Sequence, residues 1–202
     1  NATQGATIGH GLGAVPALFI IKNRSTTSAW PVKTNQLSTN SYLQLSNGNA
    51  AGSFSFYWPN DPTSLIIYLG SNSEVNGSGN SMVCYAFAPV AGFSSMASYV
   101  GNGNVEGPFI YTGMRPSYIL IKQTDSAGNW IVWDASRNPS NVSGSVLFPN
   151  TSDAEATAST VYIDILSNGF KVRTTGTNVN TSGGTYIYMA FASNPFKYSL
   201  AR

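Results

Sequence analysis

A chain of 202 residues with 42% hydrophobic content is long enough to bury a core and too apolar to be a disordered tail. Only 9% of the residues are charged, against about 25% in an average globular protein, so Ser, Thr, Asn and Gly must supply the polar surface. The net charge of +2 comes from scattered Lys and Arg with no cluster able to follow a phosphate backbone, which argues against a nucleic-acid partner.

The chain shows almost no helical periodicity. Short apolar runs recur instead between Gly, Asn, Ser and Pro: 17–22, 53–57, 65–69 and 82–88, then 117–122, 130–133, 161–165, 170–173 and 186–192. Tyr, Phe, Val and Ile enrich these runs, as half-buried pleated strands require. The segment 92–107 reads as a strand followed by a turn, and 153–158 is too short for more than a turn of helix. No apolar stretch approaches 18 residues, so no membrane-spanning helix and no membrane insertion are expected.

An internal repeat organises these runs. Gly13, Pro16, Ile21, Lys22, Trp30 and Val32 match Gly113, Pro116, Ile121, Lys122, Trp130 and Val132 at an offset of 100. Ser41, Leu43, Val75, Asn76, Ser78, Gly79, Ala86, Phe87 and Ala88 match Ser145, Leu147, Val179, Asn180, Ser182, Gly183, Ala190, Phe191 and Ala192 at an offset of 104. The expectation is an all-β protein, a β-sandwich built from two pseudo-repeated halves packed together, with the first repeat over 1–100 and the second over 101–202. Phe87 and Phe191, with Tyr85 and Met189, are expected at equivalent core positions, and Val-Asn-x-Ser-Gly is expected to form a tight turn. Trp30 and Trp130, being repeated, are expected in the core.

Catalytic chemistry finds little support. Cys84 is the sole cysteine and lies in an apolar run, where a thiol acts as a small buried hydrophobe. His10 is the sole histidine; no zinc set is available to it and no Gly-x-Ser-x-Gly elbow accompanies it, so it reads as a turn residue before a strand. Gly9-x-Gly11-x-x-Ala14 lacks the preceding strand and following helix of a dinucleotide site. Asp134 and Arg137 read as a structural ion pair at a turn, and no acid cluster has calcium-loop spacing. No catalytic residue, metal or cofactor is therefore assigned. Trp58, outside the repeat, is the tryptophan best placed to stack on a sugar, and Tyr57, Trp58, Asn60 and Asn102 are the candidate binding residues.

Several phrases occur together: 11–16 leading to 20–24, Ser98-Tyr99-Val100-Gly101-Asn102-Gly103, the segment 107–116, Leu166-Ser167-Asn168-Gly169-Phe170-Lys171, and the ending 186–198. As a set they resemble a β-rich domain of no established activity found at the C-terminal ends of bacteriophage and prophage tail-fibre-like proteins. Met114 stands where that pattern commonly has an aromatic residue, and Ser95-Met96 replaces a commoner Phe-Gly. The resemblance implies an extracellular virion structural protein, an appendage attaching to a host-surface glycan or protein, in contact with other virion proteins and trimeric by analogy with fibres. A capsid decoration or head fibre without a receptor stays open as the alternative, and a glycan depolymerase as a more remote one.

Overall fold

The apolar runs pair into antiparallel ladders, and the ladders occur twice. The computed structural model describes residues 2–157 and 159–195, and the chain divides into two compact units, Asn1–Ala88 and Pro89–Arg202. The expected boundary at 100/101 thus falls earlier, because residues 94–100 form a strand of the second unit's sheet. Residues 196–198 of the motif that ends the chain lie outside the described residues.

In the first unit the elements are β1 (Ala6–Gly9), β2 (Leu18–Asn23), β3 (Pro31–Thr34), β4 (Ser41–Gln44), β5 (Gly52–Ser53), β6 (Ile66–Leu69), α1 (Ser73–Asn76) and β7 (Met82–Phe87). One sheet has the order β5-β4-β3-β2-β7 and the other pairs β1 with β6. Phe19 and Ile21 of β2 pack with Ile67 and Leu69 of β6 in a core that also takes in Trp58 and Val75, so the unit is a sandwich of two facing sheets.

In the second unit the elements are β8 (Ser94–Val100), β9 (Phe109–Tyr111), β10 (Pro116–Gln123), β11 (Ile131–Asp134), β12 (Ser145–Val146), β13 (Ala156–Thr157), β14 (Ile163–Leu166), β15 (Gly169–Val172), α2 (Thr177–Asn180) and β16 (Thr185–Ala192). Its sheets run β11-β10-β16-β8, β14-β15-β9 and β12-β13. Ile119 and Ile121 share a core with Phe170, Val172, Val179 and Tyr188, again between facing sheets.

The registers show the duplication directly. β2 pairs with β7 from Leu18↔Phe87 to Asn23↔Met82, and β10 pairs with β16 from Tyr118↔Phe191 to Gln123↔Tyr186. One strand is offset by 100 and the other by 104, as in the sequence repeat. β4 and β5 pair Ser41↔Ser53 and Tyr42↔Gly52; β12 and β13 pair Ser145↔Thr157 and Val146↔Ala156. A one-residue slip would turn every side chain to the other face, so keeping register keeps the core.

The expected tight turns form: the Asn80 amide donates to the Gly77 carbonyl and the Gly184 amide to that of Thr181, with Gly79 (72°) and Gly183 (77°) at positive φ, and each turn follows a single helical turn, α1 or α2. Two expectations need correction. Phe87 and Phe191 do occupy equivalent register positions, but both are half-buried and neither lies on the inner face; Tyr85 is exposed and Met189 buried. Inward positions belong to Cys84 and Ala86, and to Tyr188 and Ala190, because these strands are apolar on both faces and alternation alone does not say which is inner. Residues 54–57, expected as strand, form a turn after β5.

One repeated side chain locks each copy. Asn76 Nδ2 donates to the carbonyls of Gly70 and Thr3, both at 3.0 Å; Asn180 Nδ2 donates to those of Thr174 and Asn104, both at 2.7 Å. Both asparagines are buried. Replacing either with Ala removes both hydrogen bonds of a buried donor, and each variant is expected to lose about 2 kcal/mol in urea denaturation, with faster amide exchange confined to the unit that carries it.

Candidate functional site

The four residues singled out from sequence do not assemble into a site. Trp58 is 0% and Tyr57 5% exposed. The indole meets Phe19 edge-on with ring centroids 5.0 Å apart, and the Tyr57 hydroxyl donates to the Glu74 carboxylate. Neither ring is open to a sugar, which corrects the sequence expectation. The reason lies in core filling: the second unit brings Trp133 into its core at the register position of Lys33, whereas the first draws its indole from Trp58. Asn60 and Asn102 are exposed but belong to different units.

Other sequence candidates resolve into structural roles. His10 Nδ1 accepts from the Leu12 amide at 3.2 Å and Nε2 lies 3.1 Å from the Thr63 carbonyl, so the ring bridges a turn with its proton on Nε2. A strand does precede the Gly9–Gly13 segment, but the next element along the chain is β2 and not a helix. Asp134 and Arg137 pair at 3.9 Å, and Arg137 reaches Glu155 at 3.0 Å. Trp130 is buried, while Trp30 is only half-buried with the Lys22 ammonium 5.6 Å from its ring centroid. Lys33 is buried with its ammonium donating to the carbonyls of Leu37, Ser38 and Thr39 and 3.3 Å from Asp61; burial lowers its pKa, and Asp61 opposes that shift. Lys122 is buried with Nζ donating to the Gln123 carbonyl at 2.6 Å, and burial pushes its pKa down to about 8. Among the described residues no group of three His, Cys, Asp or Glu is arranged to hold a metal ion.

The surface best suited to a ligand lies on β9 and β15. Ile110 points into the core, so Phe109 and Tyr111 project outward together, 47% and 67% exposed. Across the ladder Phe109 faces Lys171 and Tyr111 faces Gly169. A side chain at Gly169 would strike the Ile110 carbonyl and meet the Phe109 ring, so glycine allows the close approach of β9 and leaves bare backbone beside both rings.

Charge gathers at the Phe109 end of this pair. Glu106 Oε2 accepts from Lys171 Nζ at 2.7 Å and from Arg173 Nη1 at 2.9 Å, and Arg173 Nε lies 3.4 Å from Asp164 Oδ2. The Lys171 hydrogen bond, helped by the Arg173 charge, holds the Glu106 carboxyl below its ordinary pKa. The loop that carries Glu106 is itself pinned: Asn102 Nδ2 donates to the Glu106 carbonyl at 3.0 Å, and the Asn102 amide donates to buried Asn180 Oδ1 at 2.8 Å. Of the residues picked from sequence, Asn102 alone belongs to this face, as a support for it.

The first unit lacks an equivalent. At the matching positions on β1 it has Thr7 and Gly9, aligned through Ile8↔Ile67 and Ile110↔Phe170. The two copies share a fold and differ here in what they show to solvent. The Phe-Ile-Tyr alternation is visible in sequence, but only the register shows that its outer rings sit beside a glycine and an ion cluster. Apolar faces of sugar rings stack on such aromatics, and the charged and amide groups alongside can bond hydroxyls.

A family model described as "Domain of unknown function (DUF7483)" matches residues 1–195. No curated protein and no solved structure matches the chain.

These placements predict two outcomes. Trp58→Ala should destabilise by about 3–5 kcal/mol through cavity formation, while Asn60→Ala stays within about 0.5 kcal/mol, both read by chemical denaturation. For Lys122, the unfolded side chain keeps its proton up to about 10.5 and the folded one releases it near 8, so between pH 8 and 9 the unfolded state binds more protons and stability rises with pH. The rise is at most ~1.4 kcal/mol per pH unit. Above pH 9 the raised pKa of Cys84, about 11, acts in the opposite direction. Denaturation curves at pH 8 and 9 should show a steeper rise in the wild type than in Lys122→Met, with buried Lys33 left to contribute in the variant.

Proposed function

The chain belongs to the family described as Domain of unknown function (DUF7483), and from that premise we propose that it is a virion appendage domain of the tail-fibre type that attaches to glycan on a host surface through the outer face of β9 and β15. The observation that carries the proposal is the exposed Phe109–Tyr111 pair beside the Glu106–Lys171–Arg173 cluster. The sparse charge and the sequence resemblance to tail-fibre C-terminal domains support the same reading. A shallow face of this kind binds weakly, and a trimeric fibre would present it three times over, letting weak contacts sum by avidity.

Binding is proposed ahead of hydrolysis for a physical reason. A glycosidase acid must keep its proton near neutral pH, and Glu106 is biased the other way by its two cationic partners.

Purified chain, fluorescently labelled, should be retained by part of a panel of immobilised bacterial lipopolysaccharides and capsular polysaccharides. Phe109→Ala and Tyr111→Ala should each weaken that retention about tenfold, the equivalent of about 1.4 kcal/mol, while Phe56→Ala leaves it unchanged. Wild-type retention by both β9 variants, or no retention by any polysaccharide, would overturn the proposal.

A further inference from the structure

The two copies differ at one sheet edge. In the second unit β16 lies between β10 and β8; in the first, its counterpart β7 has β2 on one side and, among the described strands, none on the other. β8 therefore has no partner-equivalent among the described strands of the first unit.

Inward side chains of β8 complete the second core. Tyr99 stacks on Tyr186 with ring centroids 5.0 Å apart, meets Phe170 edge-on, and donates its hydroxyl to the Val179 carbonyl at 2.9 Å. Ala97 sits opposite Tyr188, and Ser95 Oγ lies 3.0 Å from the Tyr188 hydroxyl. The pattern read inward is small, small, aromatic.

The repeat maps these partners onto the first unit: Val179 onto Val75, Tyr186 onto Met82, Tyr188 onto Cys84 and Ala190 onto Ala86. At that place the first unit has a cavity of about 230 Å³, lined by Val75, Met82, Cys84, Ile8 and Ile21 among others. Large tyrosines on β16 are replaced by Met82 and Cys84, so the edge is both open and under-filled. The backbone route also matches, since Asn76 holds the Thr3 carbonyl as Asn180 holds the Asn104 carbonyl at the exit from β8.

We propose that the Met82–Ala86 edge of β7 accepts an added antiparallel strand of the β8 type. The occupant is a polypeptide segment with small residues facing Ala86 and Cys84 and an aromatic residue facing Met82. Its ring fills the cavity, and a tyrosine hydroxyl there reaches the Val75 carbonyl. Backbone pairing supplies affinity and the cavity supplies selectivity, as in other strand-addition sites. The site is separate from the β9–β15 face and stands whether or not that face binds glycan.

The test uses the full chain and a synthetic peptide of residues Ser94–Gly103. Two readouts are followed with increasing peptide: amide exchange across 82–86 and alkylation of Cys84 by iodoacetamide. Both should slow at least tenfold, and a peptide carrying Tyr99→Ala should slow neither. The same ten residues joined ahead of Ala2 through a Gly/Ser linker raise the effective concentration into the millimolar range, and protection must then appear without added peptide. Protection in neither format, or equal protection by the Tyr99→Ala peptide, would overturn the proposal.

Discussion

Six consecutive antiparallel pairs between β2 and β7, matched residue for residue between β10 and β16, set the position of nearly every other element. Each ladder presents an inner row, Phe19 and Ile21 with Cys84 and Ala86 in one unit, Ile119 and Ile121 with Tyr188 and Ala190 in the other. The second sheet of each unit must cover that row, and a buried valine, Val75 or Val179, joins it in the core. Because side-chain period in a strand is two residues, the register cannot drift without exposing the whole row. The four-residue difference between the offsets is absorbed before Ser41 and Ser145, ahead of the β4–β5 and β12–β13 pairs, which is why both ladders survive it.

Within this shared frame the copies have diverged where the frame is indifferent. The position facing Phe19 across β3 is Lys33, whose ammonium is satisfied by loop carbonyls; the one facing Ile119 across β11 is Trp133, whose indole N–H donates to the Val161 carbonyl. Outer β1 positions carry Thr7 and Gly9, and outer β9 positions carry Phe109 and Tyr111. Solvent-facing positions of a paired strand do not decide the fold, so they are free to decide recognition. The glycan reading and the strand-acceptor reading both rest on such differences between copies, one at an outer face and one at a sheet edge.

Much of the fold was legible in the sequence because the duplication prints the same residues twice. The pairs Ile21/Ile121, Val75/Val179 and Phe87/Phe191 sit at matching positions in the two units, and the all-β character comes from runs that lie on strands. The inner face was not legible, since Val83-Cys84-Tyr85-Ala86 is apolar at every position and carries no polar alternation to mark the outside. Short strands such as β5 and β13, two residues each, are held by tertiary pairing and leave no local signal. Trp58 misled for a related reason: a residue outside the repeat looks free for function, yet the first unit needs it to replace volume that the second unit draws from Trp133. Phe109 and Tyr111 were in view, but their setting depends on Gly169 and Lys171, which lie about sixty residues further along the chain and join them only through the β9–β15 register.

One strand set is thus used twice with an unchanged register. Cross-strand nuclear Overhauser contacts measured on the isotope-labelled chain address it most directly. An unchanged register requires backbone contacts joining Ile21 to Cys84 and Ile121 to Tyr188, with Leu18 to Phe87 and Tyr118 to Phe191 as the flanking pair in each ladder. A ladder displaced by even one residue in either unit relative to the other would contradict it.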